Sequence, residues 1–230
     1  MSRFKKCAKV AHAKLHTFFP QVSLGQTQQI LAAALGHKSY ASFLESDLSA
    51  FDEHAAYAVL VPSSAMLRAL DFGLEMNRDH WDLLISEISE KQVTGDLELC
   101  VDLLNVYWRA RYEFFDGQYS EIDALVHRYG NEEVFRQLRS EASHCNPEYA
   151  DDGEQLADRY FITLQGEICV TIEPRLPSGL GIPVLAEFGF KRVGRRLLAQ
   201  SELTSLQEDG PLRECNPQDE LDYSGGMTFD

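Results

Sequence analysis

Between Arg3 and Phe19 the apolar residues Phe4, Cys7, Ala8, Ala11, Leu15, Phe18 and Phe19 recur at steps of three and four, with lysines between them. That spacing predicts one amphipathic helix, which Pro20 ends. Ser23 stands where an N-cap belongs and Gln26 completes a capping box. The Ala-rich run Gln28 to Leu35 then reads as a second helix, with Gly36 as its C′ residue. A third short helix is expected from Ser39 to about Ser46. Helices joined by turns this short must pack on each other, burying Leu24, Ile30, Leu31, Leu35, Tyr40 and Phe43.

From Ala50 to Gly117 the pattern is mostly helical, although Tyr57 to Val61 also fits a short strand before Pro62-Ser63. Ser63 is placed to cap a helix through Phe72, and Trp81, Leu84, Ile85 and Ile88 mark another over Asp79 to Gln92. A long segment from Asp96 to Phe115 is apolar on more than one side, as a central helix of a bundle would be. Shorter helices are expected near Ser120 to Tyr129 and Asn131 to Ser143.

The character changes after Asn146-Pro147. Asp158 to Ile172 holds two β-rich runs around Gln165-Gly166, a hairpin signal, and a ribbon of two strands needs further strands to be stable. Those are expected in Ile182 to Phe190 and Arg192 to Leu198, after a loop from Pro174 to Gly181. Glu208 to Asp230, rich in acids, Gly and Pro, reads as a disordered tail. The fold class is therefore α+β, with mainly helical N-terminal and middle regions and a small antiparallel sheet near the C-terminus. The implied organisation is a three-helix module over 1–47, a body over 48–207 and a tail over 208–230.

Charge sharpens this division. Residues 1 to 44 carry Arg3, Lys5, Lys6, Lys9, Lys14 and Lys38 and no Asp or Glu, whereas all 36 carboxylates follow from Glu45 onward. A module of formal charge +6 thus precedes a remainder of −21, which implies two surfaces with different partners. The overall −15 repels nucleic acid and anionic membrane from most of the surface and attracts cationic partners. No long apolar run points to a membrane, and five irregularly spaced cysteines without a CxxC fit reduced thiols in a cytoplasm.

Several motifs bear on chemistry. Thr27 to Gly36 has the TQxxLAxxLG pattern that opens repressor-type helix-turn-helix domains, yet the helix after it, Ser39 to Glu45, holds no Arg, Asn or Gln to read a base edge. His12 and His16 lie four apart on the first helix, a spacing able to present two imidazoles to one metal, but Ala13 rules out HExxH and a polar face is the simpler account. His144-Cys145 lacks an evident partner arrangement; His80, His127 or Asp151 would have to complete it. Asp151, Asp152, Glu154 and Asp158 do not have EF-hand spacing. Lys191, Arg192, Arg195 and Arg196 form the dense basic patch of the body, and Gly179 and Gly181 read as turn residues.

Leu15 to Leu44, through Phe19, Pro20, Ser23, Leu24, Gln26, Leu31, Ala32, Leu35, Gly36, Tyr40 and Phe43, resembles a small helical module of proteins encoded by bacterial plasmids and integrative elements, in some cases labelled glyoxalase-related. His37 replaces the usual aromatic, and Tyr40 stands where Trp is frequent. The resemblance implies a mobile-element setting and brings no catalytic residues with it.

The leading expectation is a non-enzymatic interaction protein of a mobile or defence-type locus. Its acidic body would bind a basic protein, such as a toxin or a nucleic-acid enzyme, with Trp81, Asp151, Asp152 and Glu154 as contact residues. The alternative is a nucleic-acid-associated regulator docking on phosphates through Lys5, Lys6, Lys9, Lys14 and Lys38. A hydrolase or transferase ranks third. No cofactor, metal or catalytic residue is assigned.

Overall fold

A computed structural model of the chain describes residues 1–103, 105, 106, 108, 121, 124, 125, 128, 137–139, 158–171 and 179–215. The chain divides into two compact units. The first is Met1–Val106 with Pro147–Tyr160 and Phe190–Ser201; the second is Tyr107–Asn146 with Phe161–Gly189 and Glu202–Asp230.

In the first unit α1 (Arg3–Phe18) starts where the Ser2 hydroxyl accepts the Lys5 amide N–H, and it buries Phe4, Cys7, Ala8, Ala11 and Leu15. Helix α2 (Leu24–Ala34) opens on the expected reciprocal cap between Ser23 and Gln26. It closes with the His37 N–H on the Ala32 carbonyl and the Gly36 N–H on the Ala33 carbonyl, a Schellman pattern that needs Gly36 at φ +79°. Helix α3 (Tyr40–Ser46) is capped by Ser39, and the Gln29 side chain of α2 accepts the Tyr40 amide at 2.9 Å. The side chain of α2 thus satisfies an orphan donor of α3 and sets the angle between them.

A π-helical turn (Ala50–His54) leads to β1 (Tyr57–Val59), then α4 (Pro62–Asp71), α5 (Arg78–Glu90) and β2 (Glu98–Cys100). Strands β1 and β2 are parallel, with Tyr57 opposite Glu98, and the two intervening helices supply the long crossover that parallel pairing requires. β1 also pairs antiparallel with the start of β6 (Leu197–Glu208), Tyr57 opposite Leu198. Helix α1 packs on α5 and α2 on α4. One continuous core therefore joins Phe4, Leu15, Ile30 and Phe43 to Ala65, Trp81, Leu84, Ile88 and Leu197. Phe4 is its aromatic hub, with ring centroids 4.4 Å from Phe43, 5.4 Å from Tyr40 and 5.6 Å from Phe51. Leu24 and Tyr40 are half-buried at its margin.

In the second unit the strand order is β6, β5 (Gly179–Arg192), β4 (Arg159–Thr171), β3 (Gln137–Arg139), with β7 (Arg213–Cys215) also on β5. Strand β4 (Arg159–Thr171) pairs antiparallel with β3 (Gln137–Arg139), Leu138 opposite Ile168. Ile182, Val184, Ala186 and Phe188 of β5 alternate into the core, while Leu185 faces out.

The α+β class holds, and the sheet is mixed because β1 and β2 run parallel. Several expected boundaries move. Glu98–Cys100 of the expected long helix is strand, half-buried at Glu98 and Leu99 and buried at Cys100; periodicity alone does not tell a short apolar strand from a buried helix segment. Of the rest of that segment, Asp96 ends a turn, Leu97 belongs to no element, Val101 and Asp102 form a bend and Leu103, Asn105, Val106 and Trp108 are helical; Leu104, Tyr107 and 109–115 lie outside the described residues. The hairpin expected around Gln165-Gly166 is instead one uninterrupted strand, in which Gln165 extends its amide to Asp209 at 2.8 Å. Gln137–Arg139 is strand where helix was expected; Glu121, Ala124, Leu125 and Arg128 are helical as expected. Helix α4 begins at Pro62, with Val61 rather than Ser63 in the capping position, since proline suits the first helical turn. Val193 to Arg196 is a turn between β5 and β6, Gly179 and Gly181 lie within β5, and Arg213–Cys215 of the expected tail is β7; residues 216–230 lie outside the described residues.

Candidate functional site

The burial stripe of α1 leaves Lys5, Lys6, Lys9, Ala13, His16 and Thr17 exposed on the opposite face. Lys5 to His16 spans about 16 Å of helix at 1.5 Å per residue, and the exposed residues of this stretch include no carboxylate. Lys5, Lys6, Lys9 and Lys38 have no carboxylate within ion-pair distance among the described residues, and all four are exposed. The two other cations of the basic segment are engaged. Arg3 donates from Nη1 to the carbonyls of Phe51 at 3.1 Å and Ala55 at 3.4 Å. Lys14 pairs with Glu87 at 3.5 Å and lies 5.8 Å from the Phe18 ring centroid. Lys38 stands in the α2–α3 turn, where its carbonyl accepts from Arg68.

A second assembly centres on Asp47, at the C-terminal end of α3. Its Oδ2 lies 3.0 Å from Nε2 of His37 and accepts the Arg195 amide N–H at 2.6 Å. The other ring nitrogen of His37 is 3.4 Å from the Ser42 hydroxyl. Burial pushes the Asp47 carboxyl up, but the hydrogen bonds from His37 and from the Arg195 amide outweigh it and hold the group below the ordinary carboxylate value of 3.8. Gly194 permits the approach: a β-carbon there would come within 2.9 Å of the Asp47 carboxylate and of Leu197. A cleft of about 350 Å³ opens beside it, lined by Ser46, Asp47, Asp158, Arg192, Gly194 and Arg195.

Hydroxyl, imidazole and carboxylate thus stand in the order of a nucleophilic relay. The His37 side chain has no exposed surface, however, and neither it nor Ser42 lines the cleft. In this geometry the assembly joins the α2–α3 turn, the end of α3 and the β5–β6 turn. The spacing of His37 and Asp47 carried no signal in the sequence beyond His37 standing where the resembling module has an aromatic.

Trp81 is a correction. It is fully buried between α5 and the core, its indole N–H without a hydrogen-bond partner among the described residues, so its ring offers no surface to a partner. Trp108 is 41% exposed. Asp151, Asp152 and Glu154, like His127, His144 and Cys145, lie outside the described residues. His80 has a local role: its N–H and ring Nδ1 complete the cap of α5 with Asn77. The basic patch of the body sits at the end of β5 and in the turn after it, where Arg192 lies 3.8 Å from Asp158 and Arg195 is exposed. Among the described residues no group of three or more His, Cys, Asp or Glu is placed to hold a metal ion, and no helix is long and apolar enough to cross a membrane.

Comparison with protein-family models, with curated proteins and with solved structures gives no match for this chain.

Proposed function

We propose that the protein acts by contact, as a nucleic-acid-associated regulator that docks on phosphates through Lys5, Lys6, Lys9 and Lys38. The observation that carries this reading is the wet face of α1, where lysines stand exposed and without an ion-pair partner among the described residues. Unpaired surface ammonium groups lose no partner on meeting a phosphate, and the counterions released from the nucleic acid drive association. Lys14, already paired with Glu87, contributes less.

The contact positions without reading sequence. Helix α3 turns Ala41, Leu44, Glu45 and Ser46 outward, a surface without the Arg, Asn or Gln that make bidentate base contacts, and its Glu45 carboxylate repels phosphate. The acidic remainder of the chain restricts the approach of a polyanion to the basic face. The likeness of residues 15–44 to a module of plasmid and integrative-element proteins supports a setting in a bacterial mobile or defence locus.

The test is fluorescence anisotropy with a labelled duplex at low salt. The K5Q/K6Q/K9Q/K38Q variant binds at least tenfold more weakly on this account; equal affinity overturns it.

A second reading, an acidic body that masks a basic protein, is favoured by one observation. Leu67 and Leu70, about one turn apart on α4, are 65% and 60% exposed, beside the exposed carboxylate of Asp71. Asp71 already pairs with Arg68 at 3.2 Å, so what this face offers an amphipathic partner is the apolar pair itself, set within an acidic chain. A basic protein that copurifies with the wild type and not with L67S/L70S supports this reading, and its equal recovery with both refutes it.

A further inference from the structure

His12 and His16 are four residues apart on α1, with ring centroids 5.9 Å apart and planes at 60°. Nε2 of His12 lies 3.2 Å from the Val22 carbonyl oxygen. A carbonyl oxygen only accepts, so this nitrogen carries the proton and Nδ1 keeps its lone pair. That arrangement, one ring nitrogen held by a backbone carbonyl and the other left as a donor to a cation, is the one that orients metal-binding histidines. The contact also costs nothing to assemble on binding, because the Pro20–Val22 turn already holds the ring. His16 is exposed and has no hydrogen-bond or ion-pair partner among the described residues.

We infer that His12 and His16 form a two-histidine site for a divalent transition-metal ion, with solvent completing the coordination. Two imidazoles and no carboxylate select borderline-soft ions over Ca²⁺ and Mg²⁺, and the Irving–Williams order places Cu²⁺ first. Lys9, exposed on the same helix, adds repulsion that a two-ligand site must overcome, so the ion that binds imidazole most tightly is the right probe.

The inference stands apart from the nucleic-acid reading and is tested without it. Cu²⁺ is titrated into the full chain by calorimetry, with electron paramagnetic resonance of the loaded protein reporting nitrogen ligands. The expected result is one site whose affinity falls tenfold or more in H16A, a substitution of an exposed side chain that leaves the core untouched, and in H12A. H54A, which removes another exposed imidazole, retains the wild-type affinity. A loss under tenfold in H16A, or an equal loss in H54A, overturns the inference.

Discussion

Asp47 Oδ2 receives His37 Nε2 at 3.0 Å and the Arg195 amide at 2.6 Å, so one buried oxygen ties together segments separated by 148 residues in sequence. Removing the charge leaves two donors aimed at a weaker acceptor. Asp47→Asn is expected to cost about 1–3 kcal/mol, the range for leaving buried hydrogen-bond donors poorly satisfied. The sign with pH follows from the depressed carboxyl: its stabilisation is present above the ordinary value of 3.8 and drains away as pH falls through the lower folded value. Urea denaturation of both proteins should show a gap that is full at pH 6 and narrows as pH falls below 3.8. A gap independent of pH would remove Asp47 from the account.

Two glycines respond to alanine in opposite directions. Gly25 lies in the first turn of α2, where an added β-carbon meets nothing nearer than 4.0 Å, so Gly25→Ala should stabilise by about 0.5–1 kcal/mol through helix propensity. Gly194→Ala puts its β-carbon 2.9 Å from Asp47 Oδ2 and Leu197 Cδ1 and should destabilise by about 1–3 kcal/mol. Thermal denaturation of the pair checks both signs.

Cys7 is buried in α1, and that burial pushes its thiol up to about 12. Native protein at pH 8 should therefore leave Cys7 unmodified by iodoacetamide in peptide mapping, and unfolding in urea should expose it. The group is raised, so the folded state holds its proton longer than the unfolded one. Its contribution is complete below the ordinary thiol value of 9.0 and declines as pH rises towards 12. Cys7→Ala should flatten that alkaline loss.

The parts that sequence made legible were those governed by local rules. The capping box of Ser23 and Gln26, the glycine stop at Gly36 and the apolar stripe of α1 each depend on neighbours within four residues, and all three stand as expected. The misses share a different cause. Whether Gly166 ends a strand or passes through one depends on what pairs alongside, and β3 and β5 on its flanks keep β4 extended. Glu98–Cys100 is strand because β1 offers a parallel partner some forty residues upstream, which periodicity cannot register.

The candidate site divides in the same way. Lysines alternating with a buried stripe announced an exposed basic face, and four of the five named lysines stand on the surface with no ion-pair partner among the described residues. Which lysine would be consumed by an acid on another helix was not legible, because Glu87 meets Lys14 only through the packing of α5 on α1. Trp81 illustrates the converse: Leu84, Ile85 and Ile88 share its helical stripe, and that stripe faces the core.

The salt dependence of nucleic-acid binding tests the central claim most directly. With Lys5, Lys6, Lys9 and Lys38 each neutralising a phosphate, the logarithm of affinity should fall against the logarithm of salt with a slope of about −3 to −4 for duplex DNA, and the four-glutamine variant should approach zero. A wild-type slope near zero, or one unchanged in the variant, would contradict the assignment of the α1 face.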